Sequence, residues 1–173
     1  FTVEAPTTPS LVIQEATTVV NSCQTQAEIN SAFATWLSNN AIASGSCNGV
    51  LTNNNTGAPS ACGGSKTVTW SYSTSCILPL KGQATFVVPA PPTVVLTCPM
   101  NATEAAGQTQ AQIDAAFATW LATASGTGGC NGVLTNNNSG APPASGGSTT
   151  VTFTYTSTCA PTTTTCQATF TVT

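Results

Sequence analysis

Most enzyme chemistry depends on charged side chains, and this chain has very few of them. The chain has 173 residues, of which two are basic, five are acidic and none is His. They are Lys66, Lys81, Glu4, Glu15, Glu28, Glu104 and Asp114. General acid–base catalysis, nucleophile activation and stabilisation of transition-state charge draw mainly on His, paired carboxylates, Lys and Arg. The sequence therefore predicts that this chain is not an enzyme and has no catalytic residues.

The same scarcity of charge restricts the ligands and partners. The net charge is −3, so the chain cannot neutralise a run of phosphates, and we expect no binding to nucleic acid. Calcium sites need several converging carboxylates, which five scattered acids do not supply. We therefore predict no metal and no cofactor. No apolar run approaches the roughly 20 residues that span a bilayer, so no membrane insertion is expected.

The eight Cys residues are the other group of side chains that could do chemistry. Without His to complete a mixed zinc site and without a C-x-x-C pair, they indicate disulfides rather than metal or redox chemistry. Disulfides persist in oxidising compartments, so the sequence predicts a secreted, extracellular protein at the cell surface. The chain starts without Met or a signal peptide, which predicts an internal fragment of a longer protein.

Comparison of the sequence with itself shows that most of the chain consists of two copies of the same series of motifs. QTQAEINSAFATWL (24–37) recurs as QTQAQIDAAFATWL (108–121). CNGVLTNNNTGAP (47–59) recurs as CNGVLTNNNSGAP (130–142). The copies are 83 to 84 residues apart, which is the size of a small domain rather than of a solenoid unit. The sequence therefore predicts two tandem domains.

The repeat also predicts the domain boundaries. Phe1 aligns with Phe86 and Phe170, the closing strand of each copy, so the chain is expected to start on the last strand of an upstream repeat. Three Pro residues between the copies predict a stiff, extended linker. The predicted segments are an upstream strand with linker (1–9), repeat 1 (10–88), a Pro-rich linker (89–92) and repeat 2 (93–173).

One helix is predicted in each copy. Its apolar residues recur at i, i+4, i+7 and i+8, which places them on one helix face. They are Ile29, Phe33, Trp36 and Leu37 in repeat 1, and Ile113, Phe117, Trp120 and Leu121 in repeat 2. The patterns Thr25-x-x-Glu28 and Thr109-x-x-Gln112 are capping boxes that begin a helix.

The sequence predicts strands for most of the remainder of each copy. Residues 11–20 and 93–99 predict one opening strand per copy, and NGVLTNNN predicts a short strand that runs into a turn. In TVTWSYS (67–73) apolar and polar residues alternate, as in a half-buried strand, and QATFVV (83–88) closes the domain. The predicted fold is mainly β, with one small β-sandwich per copy that carries a short helix and two disulfides.

Comparison of the copies suggests how the cysteines pair. Each copy fills four of six aligned Cys positions and has another residue at the other two. Gln14 and Gly82 stand where repeat 2 has Cys98 and Cys166, and Gly107 and Ser145 stand where repeat 1 has Cys23 and Cys62. An unpaired thiol is a liability in an oxidising compartment, so bonded partners should be lost together.

This reasoning favours one scheme without excluding another. The favoured bonds are Cys23–Cys62, Cys47–Cys76, Cys98–Cys166 and Cys130–Cys159. The alternative joins Cys159 to Cys166 across a Thr-rich loop and Cys98 to Cys130. In that case the Cys positions that both copies share would have different bonding partners in the two copies.

The Asn runs are the main ligand candidates, because side-chain amides hydrogen-bond sugars well. They are Asn53, Asn54 and Asn55, and Asn136, Asn137 and Asn138. A turn in which these side chains satisfy their own backbone explains the same residues. Asn54, Asn101 and Asn137 also fit the N-glycosylation pattern. Trp36 and Trp120 could form a sugar platform, but their position on the apolar helix face favours core packing.

Several segments resemble a known family. TCPMNAT (97–103), TVTFTYTSTC (150–159) and CQATFTV (166–172) resemble the hyalin-repeat (HYR) domain, an immunoglobulin-like module. With CNGVLTNNN, AFATWL and GGSKTVTW, the chain is still more similar to HYR-like repeats of giant surface adhesins of gliding Bacteroidetes, the SprB type. The resemblance implies tandem immunoglobulin-like β-sandwiches, export by the type IX system and a role in attachment or gliding motility. It also agrees with Cys98–Cys166, because the opening-strand Cys of HYR domains bonds the closing strand.

The expected function is a structural and adhesive segment of a long extracellular bacterial adhesin. Its expected partners are neighbouring repeats of the same chain, surface polysaccharide, or other copies in a filament. Two alternatives are a filament subunit assembled by contacts between chains, and a polysaccharide-binding accessory module.

Overall fold

A computed structural model describes residues 7–45 and 47–173. The chain forms two compact units, of which the first ends at Ala90 and the second covers Pro91–Thr173. This boundary falls inside the segment 89–92 that the sequence assigns to a linker. Of the predicted upstream strand, residues 1–6 lie outside the described part and residues 7–9 have no regular secondary structure.

The described residues of unit 1 form six strands and one helix. They are β1 (Ser10–Ile13), β2 (Thr17–Val19), α1 (Gln26–Asn39), β3 (Ala41–Ser44), β4 (Val50–Asn53), β5 (Gly64–Ser73) and β6 (Leu80–Val88). The larger sheet has the order β2-β6-β5-β4, and β1 pairs with β3 in a second, two-stranded sheet. Within the larger sheet, β2 runs parallel to β6 and the other pairs are antiparallel.

Unit 2 has the same element order. Its elements are β7 (Val95–Thr97), β8 (Ala102–Glu104), α2 (Gln110–Leu121), β9 (Ser125–Thr127), β10 (Val133–Asn136), β11 (Gly147–Thr156) and β12 (Thr163–Val172). The sheet orders are β10-β11-β12-β8 and β7-β9, and β8 runs parallel to β12. The two units therefore match strand for strand, and both are mainly β.

The prediction of a single opening strand over 11–20 is wrong in unit 1, where the segment divides into β1 and β2, which join different sheets. In unit 2 the predicted segment 93–99 holds β7 alone, and the strand that joins the larger sheet, β8, follows it. In unit 1 the break is made by Asn40, which follows α1. Its Oδ1 accepts from the Glu15 N–H at 2.9 Å and its Nδ2 donates to the Glu15 carbonyl at 3.0 Å. The backbone of Glu15 thus bonds to a side chain instead of to a neighbouring strand. Unit 2 has Pro99 at the matching position, which lacks the N–H altogether.

Both predicted helix starts are confirmed. The Thr25 hydroxyl accepts from the Glu28 N–H while the Glu28 carboxylate accepts from the Thr25 N–H, and Thr109 and Gln112 form the same reciprocal pair. Each capping box satisfies two backbone donors that a helix terminus leaves unpaired.

The predicted apolar helix face forms the core with one face of the larger sheet. In unit 1, Ile29, Phe33 and Trp36 pack on Val68 and Phe86, all at most 7% exposed. The members of unit 2 in the same places are Ile113, Phe117, Trp120, Val151 and Phe170. Each helix therefore covers its sheet on one side.

Candidate functional site

The Asn runs follow β4 and β10 and are bonded to their own chain. The Asn54 Oδ1 accepts from the Thr69 N–H on β5 at 2.8 Å, and the Asn54 N–H donates to the Thr69 carbonyl at 3.2 Å. Asn137 makes the same two bonds with Thr152, at 2.7 and 3.2 Å. The central Asn of each run therefore extends the strand pairing by one residue with its backbone and its side chain.

The flanking Asn residues close the turn. In unit 1 the Asn53 Oδ1 accepts from the Asn55 N–H at 3.0 Å, and the Asn55 Oδ1 accepts from the Gly57 N–H at 2.8 Å. Unit 2 repeats both bonds, at 3.1 and 2.7 Å. Side chains that bond the backbone two residues on are typical of turns. All six side-chain oxygens are thus used, which supports the turn interpretation; binding of a ligand by the amide nitrogens stays a prediction.

The sequon Asn residues share this behaviour. Asn101 precedes β8, and its Oδ1 accepts from the Thr169 N–H on β12 at 2.9 Å. Asn54, Asn101 and Asn137 are all exposed. Their glycosylation stays a prediction.

The Trp residues are core residues. Trp36 and Trp120 are each 7% exposed and stack on Phe33 and Phe117 within their helices. This burial supports core packing rather than a sugar platform for both residues. Trp70 is 1% exposed and lies edge-on to Trp36.

Two predicted disulfides are present in the structure. Cys47 is bonded to Cys76, with Cα atoms 6.0 Å apart, and Cys98 is bonded to Cys166, with Cα atoms 6.1 Å apart. The second bond excludes the alternative scheme, which needed Cys166 for Cys159. It joins the segment after β7 to β12, and so links the two sheets of unit 2.

The other four cysteines, Cys23, Cys62, Cys130 and Cys159, are also disulfide-bonded, and the described chain contains no free thiol. Since the first two bonds are taken, these four pair among themselves. The N–H groups of Cys130 and Cys159 both donate to the Ser157 hydroxyl, at 2.9 and 3.3 Å. This supports the predicted Cys130–Cys159 bond, and with it Cys23–Cys62.

Unit 1 also has a groove that the sequence did not predict. Its volume is about 740 Å³, and it lies between α1 and the segment that carries β2. The buried and half-buried part of its lining is mainly apolar: Val20, Ala32, Trp36 and Phe86. The exposed part is polar: Gln14, Glu15, Glu28, Ser31, Thr35 and Asn39. We call this cavity the α1 groove.

The α1 groove is acidic. Hydrogen bonds from the Thr25 backbone and the Thr25 hydroxyl hold the pKa of Glu28 below its usual range, so that this carboxylate is ionised near neutral pH. Glu15 accepts from the Thr18 hydroxyl at 2.7 Å. None of the groove residues that the structure describes is basic.

Comparison of the copies contained one signal for this groove. Gln14, Ala16 and Asn40 lie in or beside it, and their counterparts in repeat 2 are Cys98, Met100 and Ala124. The copies differ at most of the positions that line the groove, including Gln14, Glu15, Val20 and Asn40. The sequence comparison used only the Cys among them.

No group of three or more His, Cys, Asp or Glu side chains in residues 7–45 and 47–173 is arranged to hold a metal ion. Among the described helices, neither is long and apolar enough to cross a membrane. Comparison with protein-family models and with curated proteins finds no match for this sequence.

Proposed function

We propose that this chain is a structural and adhesive segment of a long extracellular bacterial surface protein, built from HYR-like, immunoglobulin-like repeats. The observation that carries the proposal is the strand-for-strand match of the two units. What both copies keep is the apolar core, the capped helix and the Asn turn. These features are those that an array of spacer domains needs.

The immunoglobulin-like character is supported by the layering of each unit. The strands form two sheets, and the opening segment gives one strand to each. In unit 2 the Cys98–Cys166 bond connects those two sheets, as inter-sheet disulfides do in immunoglobulin domains.

An extracellular setting fits the bonding of all eight cysteines, because such bonds persist outside the reducing cytoplasm. Export by the type IX system and a part in gliding motility rest on the resemblance to SprB-type repeats. The proposal of a non-catalytic role is supported by two acidic side chains that bond to their own chain: the Glu28 carboxylate accepts from the Thr25 N–H in the α1 cap, and the Glu15 carboxylate accepts from the Thr18 hydroxyl.

One observation favours the filament alternative. Strand β4 is the last strand of the larger sheet in unit 1, and its Val50 and Leu51 are 59% and 37% exposed. An edge strand presents unpaired backbone groups to which another chain can add a strand. Val133 on β10 is 53% exposed at the same place in unit 2.

Antibody labelling of intact cells tests the main proposal. Fab fragments raised against the oxidised chain are expected to label long structures on the surface of the source cells and to reduce their attachment to a solid support. Fab fragments raised against the reduced and alkylated chain are the control. Labelling confined to the cell interior would overturn the proposal.

Sedimentation of the purified chain tests the filament alternative. If β4 pairs between chains, the oxidised chain assembles as its concentration rises, and Val50→Lys abolishes the assembly because the charge disfavours edge pairing. Leu78→Lys, at a residue that is 86% exposed and outside the strands, is the matched control. A monomer at all concentrations would exclude this alternative.

A further inference from the structure

The dipeptide Asn-Gly occurs twice in the chain, each time just before an edge strand. Asn48-Gly49 precedes β4, and Asn131-Gly132 precedes β10. All four residues are exposed. An Asn that is followed by Gly can react with its own backbone, because the next nitrogen lies within reach of the side-chain carbonyl and Gly has no Cβ to obstruct the approach.

The fold requires Gly at the second position of both pairs. A Cβ atom on Gly132 would overlap the phenol of Tyr155, and a Cβ atom on Gly49 would overlap the phenol of Tyr72. Both Tyr side chains are buried. A larger residue, which would hinder the reaction, therefore cannot replace either Gly without displacing a buried aromatic ring.

The fold also favours Asn at the first position. Asn48 and Asn131 have φ angles of 50° and 53°, in the left-handed region. Asn is one of the few residues with a side chain that enter this region readily. Two separate requirements of the fold thus place Asn directly before Gly in each unit.

The sheet leaves the Gly nitrogens free. In unit 2 the Asn137 N–H donates to the Thr152 carbonyl at 3.2 Å, and every second residue of an antiparallel strand donates to the partner strand. Gly132 lies five residues before Asn137 in a continuous register, so its N–H faces the open edge of β10 and not β11. Gly49 has the same place beside β4. Neither N–H has an acceptor in the part of the chain that the structure describes.

The Asn side chains of these pairs are free as well. Within residues 7–45 and 47–173, the amides of Asn48 and Asn131 make no hydrogen bond. Other exposed Asn residues differ in this respect. The Asn138 Oδ1 accepts from the Gly140 N–H at 2.7 Å, and Asn55 is held by the same kind of bond. These bonds must break before the side chain can turn towards its own backbone.

We infer that Asn48 and Asn131 are sites of spontaneous deamidation through a succinimide. In unit 2 the Gly132 nitrogen loses its proton and attacks the Asn131 Cγ, since a nucleophile acts in its deprotonated form. The bond from Cγ to the side-chain nitrogen breaks, and that nitrogen takes up a proton and leaves as ammonia. Water then opens the ring: its hydroxyl adds to a ring carbonyl carbon, and its proton returns to the Gly132 nitrogen. Nothing is oxidised or reduced.

The carbon that water attacks decides the product. Opening at Cγ gives Asp, and opening at the backbone carbonyl carbon gives isoaspartate, which lengthens the main chain by one methylene group. Either product places a carboxylate at the open edge of β10 or β4, where charge disfavours pairing with another chain. Isoaspartate also displaces Gly132 from the Tyr155 phenol. The inference goes beyond the proposed function and does not depend on it.

The test is incubation of the oxidised whole chain at neutral and mildly alkaline pH, followed by peptide mass spectrometry and an isoaspartyl methyltransferase assay. Asn48 and Asn131 should lose their amides first. Their rates should rise with hydroxide concentration, because the attacking nitrogen must lose a proton. Asn55 and Asn138, which are equally exposed but hydrogen-bonded, should keep their amides over the same period.

The reduced, alkylated and unfolded chain separates the effect of the fold from that of the dipeptide. Asn48 and Asn131 should react at similar rates in both forms, because the fold holds neither the amide nor the nitrogen. Asn55 and Asn138 should react about tenfold more slowly in the folded chain, since one hydrogen bond must break first. If the folded chain keeps the amides of Asn48 and Asn131 while the unfolded chain loses them, the fold protects both sites and the inference is wrong.

One substitution assigns the product. Asn131→Gln keeps an amide but would have to close a larger and less favourable ring, so the product should vanish from unit 2 and stay unchanged at Asn48. Asn138→Gln is the matched control and should leave both products in place. An undiminished unit 2 product in Asn131→Gln would overturn the assignment to Asn131. The rate comparison on the native chain decides the inference even if this variant does not fold.

Discussion

Ile13 packs directly against Gly82. A Cβ atom on Gly82 would lie 2.6 Å from the Ile13 Cγ1, so no larger residue fits there without displacement. Unit 2 has Cys166 at the position of Gly82, bonded to Cys98. The two units therefore close the same corner between the sheets by different means, aliphatic packing in unit 1 and a covalent bond in unit 2.

Removal of this bond should destabilise unit 2 alone. Cys98 and Cys166 are 68 residues apart, and a bond that closes such a loop stabilises the fold by about 4 kcal/mol in the chain-entropy model. Cys98→Ala/Cys166→Ala should therefore raise hydrogen exchange throughout β11 and β12, measured by mass spectrometry on the whole chain. Gly82→Ala is the counterpart in unit 1, where overpacking against Ile13 should cost about 1–3 kcal/mol. Unchanged protection in β12 would contradict the first expectation.

Acid should loosen the start of α1 but not that of α2. The Thr25 N–H donates to the Glu28 carboxylate at 2.8 Å, which keeps the pKa of Glu28 below its ordinary value. Because the folded-state pKa is the lower one, the stabilisation is complete above the ordinary Glu pKa of about 4.3. It is lost as pH falls through the folded-state pKa. Gln112 makes the same bond to Thr109 without a charge.

An NMR pH titration between neutral pH and about pH 3 measures this effect, since it spans the ordinary Glu range. The amide signal of Thr25 should titrate and that of Thr109 should stay in place. In Glu28→Gln both signals should be insensitive to pH. Equal movement of both signals in the native chain would show that the cap is not the cause.

Truncation of the buried Ile side chain beneath the helix should lower the free energy of unfolding by similar amounts in the two units. Ile29 and Ile113 are each 0% exposed beneath their helices, so Ile29→Ala and Ile113→Ala should each cost about 2–5 kcal/mol. Each substitution should raise hydrogen exchange in its own unit. Leu78→Ala, at a side chain that is 86% exposed, is the control and should change stability by less than about 0.5 kcal/mol. A mild effect of either Ile substitution would place that residue outside the core.

The Asn54 side chain should stabilise the turn through its hydrogen bond with the Thr69 N–H. Asn54→Ala releases the Thr69 N–H from its bond to the side-chain oxygen and should cost about 0.5–1.5 kcal/mol. The amide of Thr69 should exchange faster, while that of Gly57, which is bonded to Asn55, should not. Asn55→Ala should have the reverse pattern. If neither amide responds, the turn does not depend on these side chains and the ligand interpretation of the Asn run regains support.

The sequence predicted those features that depend on neighbours within about one helical turn or on a comparison of aligned positions. The capping boxes of Thr25 and Thr109 join residues three apart, so their pattern is visible in the chain itself. The apolar stripe of Ile29, Phe33 and Trp36 has the period of a helix. The Cys98–Cys166 bond was predicted because both residues are replaced in the first copy.

Tertiary structure alone decided what depends on contacts between distant residues. The break of the opening strand at Glu15 needs the side chain of Asn40, 25 residues away. The Trp120 indole N–H donates to the Met100 carbonyl, 20 residues away, whereas the buried Trp36 indole N–H has no acceptor among the described residues. Both copies have the same Trp in the same helical pattern, so no local signal separates them. Whether this indole finds an acceptor is decided by hydrogen bonds between distant segments, which form only once the sheet and the helix are packed.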